Sequence, residues 1–129
     1  MAVSDHKGTV TIYERSYDGV SVGTGLHSIY KDINGGNFVQ PDGKSLELEC
    51  DILDNILAWY KPDAMKIDIE GAEVLALKGA TNTLKQLRKI IVEIHGDNFD
   101  KVKKILEAHN FKLEIISASG HMTYITGSK

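Results

Sequence analysis

Residues 64–73, with the sequence AMKIDIEGAE, constrain the fold of this chain more than any other segment. Met65, Ile67 and Ile69 form an apolar run in which the β-branched residues favour a buried strand. Gly71 allows a tight turn or a close backbone approach that a Cβ atom would block. The apolar residues that follow recur at helical spacing, and they are Val74, Leu75, Leu77, Leu84 and Leu87. The segment therefore predicts a strand that ends in acidic residues and a glycine and passes directly into a helix.

The same alternation of strand and helix continues toward the C-terminus. The predicted elements are a strand over 64–69, a helix over 72–87, a strand over 90–95, a helix over 98–109, and strands over 111–116 and 121–126. Repeated β-α units predict parallel strands with right-handed crossovers, so the first two strands should be parallel neighbours, and the last two strands predict an antiparallel hairpin. The expected core comprises Ile67, Ile69, Val74, Leu77, Leu84, Ile91, Val92, Ile94, Val102, Leu106 and Ile116.

The N-terminal part of the chain has a different texture. Residues 1–50 mix strand patterns, clearest at 8–14 and 46–50, with segments rich in Gly, Ser, Asp and Asn. The run NGGNFVQPDG at 34–43 carries strong turn signals and predicts a loop or an irregular hairpin. A short helix near 51–60 should end before Pro62, because proline disfavours helix in the residue before it. At 129 residues, the chain is predicted to be one α/β domain with a β-rich region at 1–50, and β-α units plus a closing hairpin at 51–129.

Composition excludes several classes of partner. The formal net charge is −3 with acids and bases interspersed, which gives no electrostatic case for binding nucleic acid or an anionic membrane. No apolar run approaches the ~20 residues that cross a bilayer, and the first residues lack the apolar core of a signal peptide. Cys50 is the only cysteine, so no intrachain disulfide can form. We therefore expect a cytoplasmic protein.

Titratable side chains follow the two central strands at the point where each one ends. Asp68 and Glu70 close the first strand, Glu93 and His95 close the second, and Glu73 begins the helix between them. Ligands of open parallel sheets bind outside the carboxyl ends of the strands, so these groups should surround one crevice. Side chains alternate along a strand, which places each of the two pairs on one face. Such clusters shift pKa values and support acid–base chemistry.

The roles of these side chains remain open between several interpretations. His95 could remove a proton from an acceptor, while a carboxylate could steady a positive charge or orient a hydroxyl. Glu73 fits the simpler role of an acid that favours the N-terminus of a helix dipole. Carboxylate oxygens and an imidazole can also hold a divalent metal, although no spacing signature assigns metal ligands. Asp68, Glu70, Glu93 and His95 are therefore the predicted catalytic residues, and no metal site is predicted.

Three segments resemble the FkbM-type family of S-adenosylmethionine-dependent methyltransferases. They are KIDIEGAE at 66–73, LKGA at 77–80 and IVEIH at 91–95, and weaker similarity is present at 2–5, 8–13 and 51–57. The resemblance implies part of a Rossmann-like methyltransferase sheet, S-adenosylmethionine as cofactor, and O-methylation of a small-molecule or sugar hydroxyl. Family members hold the cofactor with a glycine-rich first strand, turn and helix ahead of this region. That segment is missing from the sequence, so no cofactor-binding residues are assigned and weak cofactor binding is expected.

Three functions are compatible with these observations. The first is a methyltransferase. The second is a non-catalytic remnant or partner-binding module that has lost the cofactor site, and the third is an enzyme that uses the acidic cluster with a metal. Without the family's first strands, the strand at 64–69 would lie at a sheet edge, and exposed apolar edges recruit partners. We therefore expect a homodimer, a domain-swapped pair, pairing with a missing N-terminal half, or N-terminal strands folded back over that edge.

Overall fold

The computed structural model of the chain describes residues 1–17, 20–21 and 40–129, which form two four-stranded sheets. The first sheet has the order β1-β4-β2-β3 and contains β1 (Ala2–Ser4), β2 (Gly8–Tyr17), β3 (Val20–Ser21) and β4 (Gln40–Ile52). The second has the order β5-β6-β8-β7 and contains β5 (Ala64–Ile67), β6 (Lys89–His95), β7 (Lys112–Ser119) and β8 (Met122–Ser128). The helices are α1 (Leu53–Ile56), α2 (Glu73–Lys78), α3 (Thr81–Gln86) and α4 (Phe99–Ala108).

The second sheet confirms the predicted pairing of the two central strands. β5 runs parallel to β6, with Met65 beside Ile90 and Ile67 beside Val92. β8 is antiparallel to both β6 and β7, so the C-terminal hairpin is also confirmed. Asn110 adopts a left-handed backbone with φ of 67° at the end of α4, as expected for a residue that terminates a helix. The described residues therefore form a mixed α/β fold.

The hydrophobic core lies on the face of the second sheet that is covered by α2, α3 and α4. Its buried members are Ile67, Val74, Leu77, Ala80, Leu84, Leu87, Ile90, Val92, Ile94, Val102, Leu106, Phe111 and Ile125, and Ile69 packs against them. Two expected core residues, Ile91 and Ile116, are instead exposed. Ile91 lies between Ile90 and Val92 on β6 and so points to the opposite face of the sheet. Ile116 lies at a register shift on the edge strand β7.

The single helix expected over 72–87 is wrong, because α2 and α3 are separated at Gly79 and Ala80. A Cβ atom at Gly79 would collide with the carbonyl oxygen of Ser4 in β1. The Gly79 carbonyl leaves the helical hydrogen-bonding pattern and accepts a bond from the Asp54 N–H at 3.0 Å. The Asp54 carboxylate in turn accepts the N–H groups of Asn82 and Thr83 at 2.8 Å each, which starts the second helix. The helical pattern of apolar residues continues across this break, so periodicity alone did not reveal it.

Other expected boundaries also shift. The strand expected over 64–69 ends at Ile67, and the helix near 51–60 is limited to Leu53–Ile56. Of the loop expected at 34–43, residues 34–39 lie outside the described residues. Residues 40–43 belong to the strand β4 and not to a loop. A register shift between β2 and β4 places several β4 residues opposite a single β2 residue there, which accommodates the turn-forming sequence within a strand.

β5 occupies an edge of the second sheet, as the sequence predicts. Among the described N-terminal strands, β1 and β2 pair with β4 and β3 pairs with β2, so all three belong to the first sheet and none pairs with β5. The expectation that N-terminal strands fold back over the β5 edge is therefore wrong for the described residues. The main partner of β2 is β4, and the two strands pair from Gly8 to Ser16 of β2.

Candidate functional site

The carboxyl ends of β5 and β6 bring the predicted residues together around His95. The His95 Nε2 atom lies 3.5 Å from an oxygen of Glu70 and 3.6 Å from an oxygen of Glu93. Its Nδ1 atom lies 2.9 Å from an oxygen of Glu73. Asp68 belongs to the same cluster, because one of its carboxylate oxygens lies within 4.8 Å of donor atoms of Glu93 and His95. All four predicted site residues therefore meet, and Glu73 joins them.

Glu73 belongs to the predicted group of titratable residues, but its contacts go beyond the helix-dipole role that the sequence favours for it. Its side chain is fully buried, and its Oε1 atom accepts the backbone N–H of Gly71 at 2.8 Å as well as facing His95. Asn98, at the entry to α4, donates its side-chain N–H to the Gly71 carbonyl at 3.1 Å. Helical side chains tilt toward the N-terminus of their helix, and this tilt directs a first-turn glutamate back to the strand ends. The position of Glu73 in the first turn of the helix is therefore a sequence signal for this contact.

The half-buried imidazole of His95 is surrounded by acids. The hydrogen bond with Glu73 is the main cause that raises the pKa of His95 above its ordinary value of 6.5, and burial partly opposes this rise. The nearby charges of Glu73, Glu70 and Glu93 act in the same direction as the hydrogen bond. The imidazole is thus a stronger base than a solvent-exposed histidine.

Glu70 occupies an unusual backbone conformation next to this imidazole. Its φ angle is 52°, in the left-handed region, and Gly71 follows at 98°. Non-glycine residues are seldom found there, and such conformations concentrate at functional sites. Burial is the main cause that raises the pKa of Glu70, whereas the charge of His95 lowers it. The turn therefore places a carboxyl group with a raised pKa 3.5 Å from Nε2 of His95.

Asp68 and Glu93 have further partners on the face of the sheet opposite the helices. The Lys66 ammonium donates to Asp68 at 2.9 Å, and this hydrogen bond is the main cause that lowers the pKa of Asp68. The Tyr124 hydroxyl is hydrogen-bonded to Glu93, which raises the pKa of Tyr124. Tyr124 faces Glu93 directly in the pairing of β6 with β8. Neither Lys66 nor Tyr124 was a sequence candidate, since the register between β6 and β8 is not readable from the sequence.

Three of these side chains have the donor types of a metal site. One donor atom from each of Asp68, Glu93 and His95 lies within 4.8 Å of the others. Two carboxylates and one imidazole suit several divalent cations. In the structure the same atoms face Lys66, Tyr124 and Glu70, so the cluster is also held together by protein groups alone.

The second sheet contains a parallel strand pair, and helices cover one of its faces. An acid–histidine cluster lies at the ends of these strands, which is where α/β proteins commonly place an active site. Residues 1–113 match the methyltransferase FkbM domain, and the chain belongs to this family of methyltransferases. It is 36% identical over 70 residues to the hexuronic acid methyltransferase AglP of Haloferax volcanii, a stretch covering 54% of this chain and 29% of that protein. No solved structure matches. Among the described helices, none has the length and apolar character needed to span a membrane.

Proposed function

We propose that this chain acts in an S-adenosylmethionine-dependent O-methyltransferase whose acceptor is a sugar hydroxyl. Membership of the FkbM methyltransferase family supports methyl transfer, and the similarity to a hexuronic acid methyltransferase supports a sugar acceptor. The observation that carries the proposal is the contact of His95 Nδ1 with the buried Glu73, which leaves Nε2 directed at the crevice between Glu70 and Glu93. We further propose that the second sheet is part of a Rossmann-like methyltransferase sheet.

In the proposed reaction, Nε2 of His95 accepts the proton that the acceptor hydroxyl releases. The carboxylates of Glu70 and Glu93 flank this atom, so they are placed to orient the hydroxyl and to favour a positive charge nearby. S-adenosylmethionine would supply the methyl group from a sulfonium centre, whose positive charge suits these carboxylates. Asp68, which accepts a hydrogen bond from Lys66, adds a third carboxylate to this group. General-base catalysis of this kind contributes roughly 10²–10⁴-fold to a rate.

A methyl-transfer assay tests this function directly. The chain is incubated with millimolar methyl-labelled S-adenosylmethionine and a panel of hexuronic acids, neutral hexoses and non-sugar alcohols. We expect label in a sugar product, a loss of about 10²-fold or more in His95→Gln, and no change in Glu114→Gln, whose side chain is exposed on β7. Parallel reactions with EDTA and with added Mn²⁺ test a metal requirement. Absence of transfer to every acceptor, or full activity in His95→Gln, would contradict the proposal.

The position of β5 supports a second candidate function, a module that binds a partner. β5 is an edge strand within the described part of the chain, and Ile91 on the adjacent β6 is 41% exposed on the face opposite the helices. We propose that a second copy of the chain pairs along this edge to form a homodimer. The methyl-transfer assay and a measurement of the oligomeric state separate the two roles. A dimer that transfers no methyl group would support only the partner-binding role.

A further inference from the structure

We infer that Glu73 is a positioning residue, which holds His95 in the tautomer that carries its proton on Nδ1 and leaves Nε2 open to the acceptor. The assignment of a tautomer stands on the geometry alone. Its consequence for catalysis rests on the proposed function.

The hydrogen-bond partners of Glu73 determine which ring nitrogen donates. Its Oε1 atom accepts the Gly71 N–H at 2.8 Å and lies 2.9 Å from Nδ1 of His95. An oxygen that accepts from a backbone N–H needs a donor on its other contact as well, so Nδ1 carries the proton. In the neutral imidazole, Nε2 then has a free lone pair. This is the atom that a general base must present.

The environment of Nε2 agrees with this assignment. Its nearest acidic oxygens, on Glu70 and Glu93, lie at 3.5 and 3.6 Å, which is longer than the 2.7–3.2 Å usual for a hydrogen bond from nitrogen to oxygen. Nδ1 thus has the short contact and Nε2 has the looser ones. A hydroxyl group that approaches Nε2 would leave the partner that orients the ring, Glu73, in place.

The hydrogen-bond partners of Glu73 explain why a carboxylate is tolerated at this buried position. The Glu73 side chain is fully buried, and a buried carboxylate is tolerated only when its oxygens are paired. Its partners join the turn after β5, through Gly71, to the end of β6, through His95. Asn98 secures the same turn from the start of α4. An aspartate, shorter by one methylene group, would not span this distance from the same backbone position.

The charged groups around His95 separate the effect of Glu73 from those of its neighbours. Glu70 and Glu93 face Nε2, and a carboxylate oxygen of Asp68 lies within 4.8 Å of the ring. Among the acidic groups of the described residues, Glu73 is the one that contacts Nδ1. Removing the charge of Glu73 while keeping an oxygen should therefore preserve the tautomer and lower the pKa of His95. Removing the oxygen as well should release the tautomer.

Nitrogen-15 NMR of the histidine ring atoms tests this without requiring activity. His95 is assigned from the signal that is missing in His95→Gln, and the wild type is compared with Glu73→Gln, Glu73→Leu and the matched control Glu114→Gln. His109 serves as an internal control, because its Nδ1 donates to the Ile105 carbonyl at 2.9 Å, away from Glu73.

We expect the Nδ1–H tautomer in the wild type, a lower His95 titration midpoint with the same tautomer in Glu73→Gln, and a shift toward Nε2–H in Glu73→Leu. His109 and the Glu114→Gln protein should remain unchanged. An Nε2–H tautomer in the wild type, or an unchanged His95 midpoint in folded Glu73→Gln, would overturn the assignment. The glutamine variant keeps the test decisive if the leucine variant does not fold.

Kinetics test the catalytic consequence separately. Where methyl transfer is measurable, Glu73→Gln should lower kcat with little change in the KM for the acceptor, because it alters the base and not the binding surface. A higher KM for the acceptor with an unchanged kcat would contradict a positioning role. If no transfer is detected at all, the proposed function fails while the NMR result still decides the tautomer.

Discussion

The Asp54 carboxylate accepts two hydrogen bonds from Thr83, one from its backbone N–H and one from its hydroxyl, both at 2.8 Å. This contact links α1 to the start of α3 and supplies the cap that Ala80 cannot provide. We predict that Asp54→Ala destabilises the protein by about 1–2 kcal/mol, as for loss of a helix cap. Urea denaturation measures the change. Asp63→Ala is the control, because its partner Arg88 is exposed and surface ion pairs contribute little.

Gly79→Ala should also destabilise the fold, by roughly 1–3 kcal/mol. The backbone of Gly79 has an ordinary φ of −80°, so the penalty is steric and comes from the Ser4 carbonyl and the Ile52 side chain. Thermal denaturation of the variant gives the size of the effect. The comparison variant Gly120→Ala has open space around its Cβ but a φ of 58°, so its cost is conformational. An unchanged stability in Gly79→Ala would contradict the close approach of β1 to α2.

The His95–Glu73 pair should make stability depend on pH above 6.5. The pKa of His95 is raised above 6.5 in the folded protein, chiefly by the hydrogen bond with Glu73. A raised histidine pKa contributes stability that is fully present below pH 6.5 and is lost as the pH rises through the folded-state value. Denaturant midpoints between pH 5.5 and 9 should therefore fall more steeply for the wild type than for His95→Gln. Parallel curves for the two proteins would refute this contribution.

The isolated chain of 129 residues is predicted to bind S-adenosylmethionine weakly. The resemblance assigns the cofactor grip to a glycine-rich turn that this sequence does not contain. Each missing hydrogen bond contributes ~1 kcal/mol, and every 1.4 kcal/mol is a tenfold change in affinity, so the loss spans orders of magnitude. Isothermal titration calorimetry gives the dissociation constant. A low-micromolar value would show that other residues of this chain hold the cofactor.

The exposed edge of β5 is predicted to support a homodimer. Its N–H and C=O groups on the side away from β6 have no strand partner among the described residues, and such edges pair readily. Light scattering over a range of concentrations should show twice the monomer mass of 14.2 kDa. Protection of the β5 amides from hydrogen exchange should increase with concentration. A monomer at every concentration would exclude pairing along this edge.

The sequence predicted the part of the fold that depends on local pattern. The parallel neighbours β5 and β6 and the hairpin of β7 and β8 follow from apolar runs and turn residues. The break at Gly79 escaped prediction because its cause is Ser4, a residue far away in the sequence. Ile91 escaped for a related reason, since an apolar residue among buried neighbours gives no sign that no helix of the described residues covers its face of the sheet.

The candidate site shows the same division between local and distant information. Asp68, Glu70, Glu93 and His95 were predictable, because the ends of adjacent parallel strands meet at one edge of a sheet. Tyr124 was not, since its place opposite Glu93 depends on the register of a later strand. The role of Glu73 depends on complete burial, which sequence spacing does not report.

The contact between Glu73 and His95 spans only 22 positions along the chain. Contacts of short sequence separation require little loop closure and can form early in folding. Among the described residues, the acids that face the His95 ring, Glu70, Glu73 and Glu93, all lie in the continuous stretch 64–95. Circular permutation or insertion elsewhere in the chain would leave this stretch uninterrupted, so the contact between Glu73 and His95 would stay within one continuous segment.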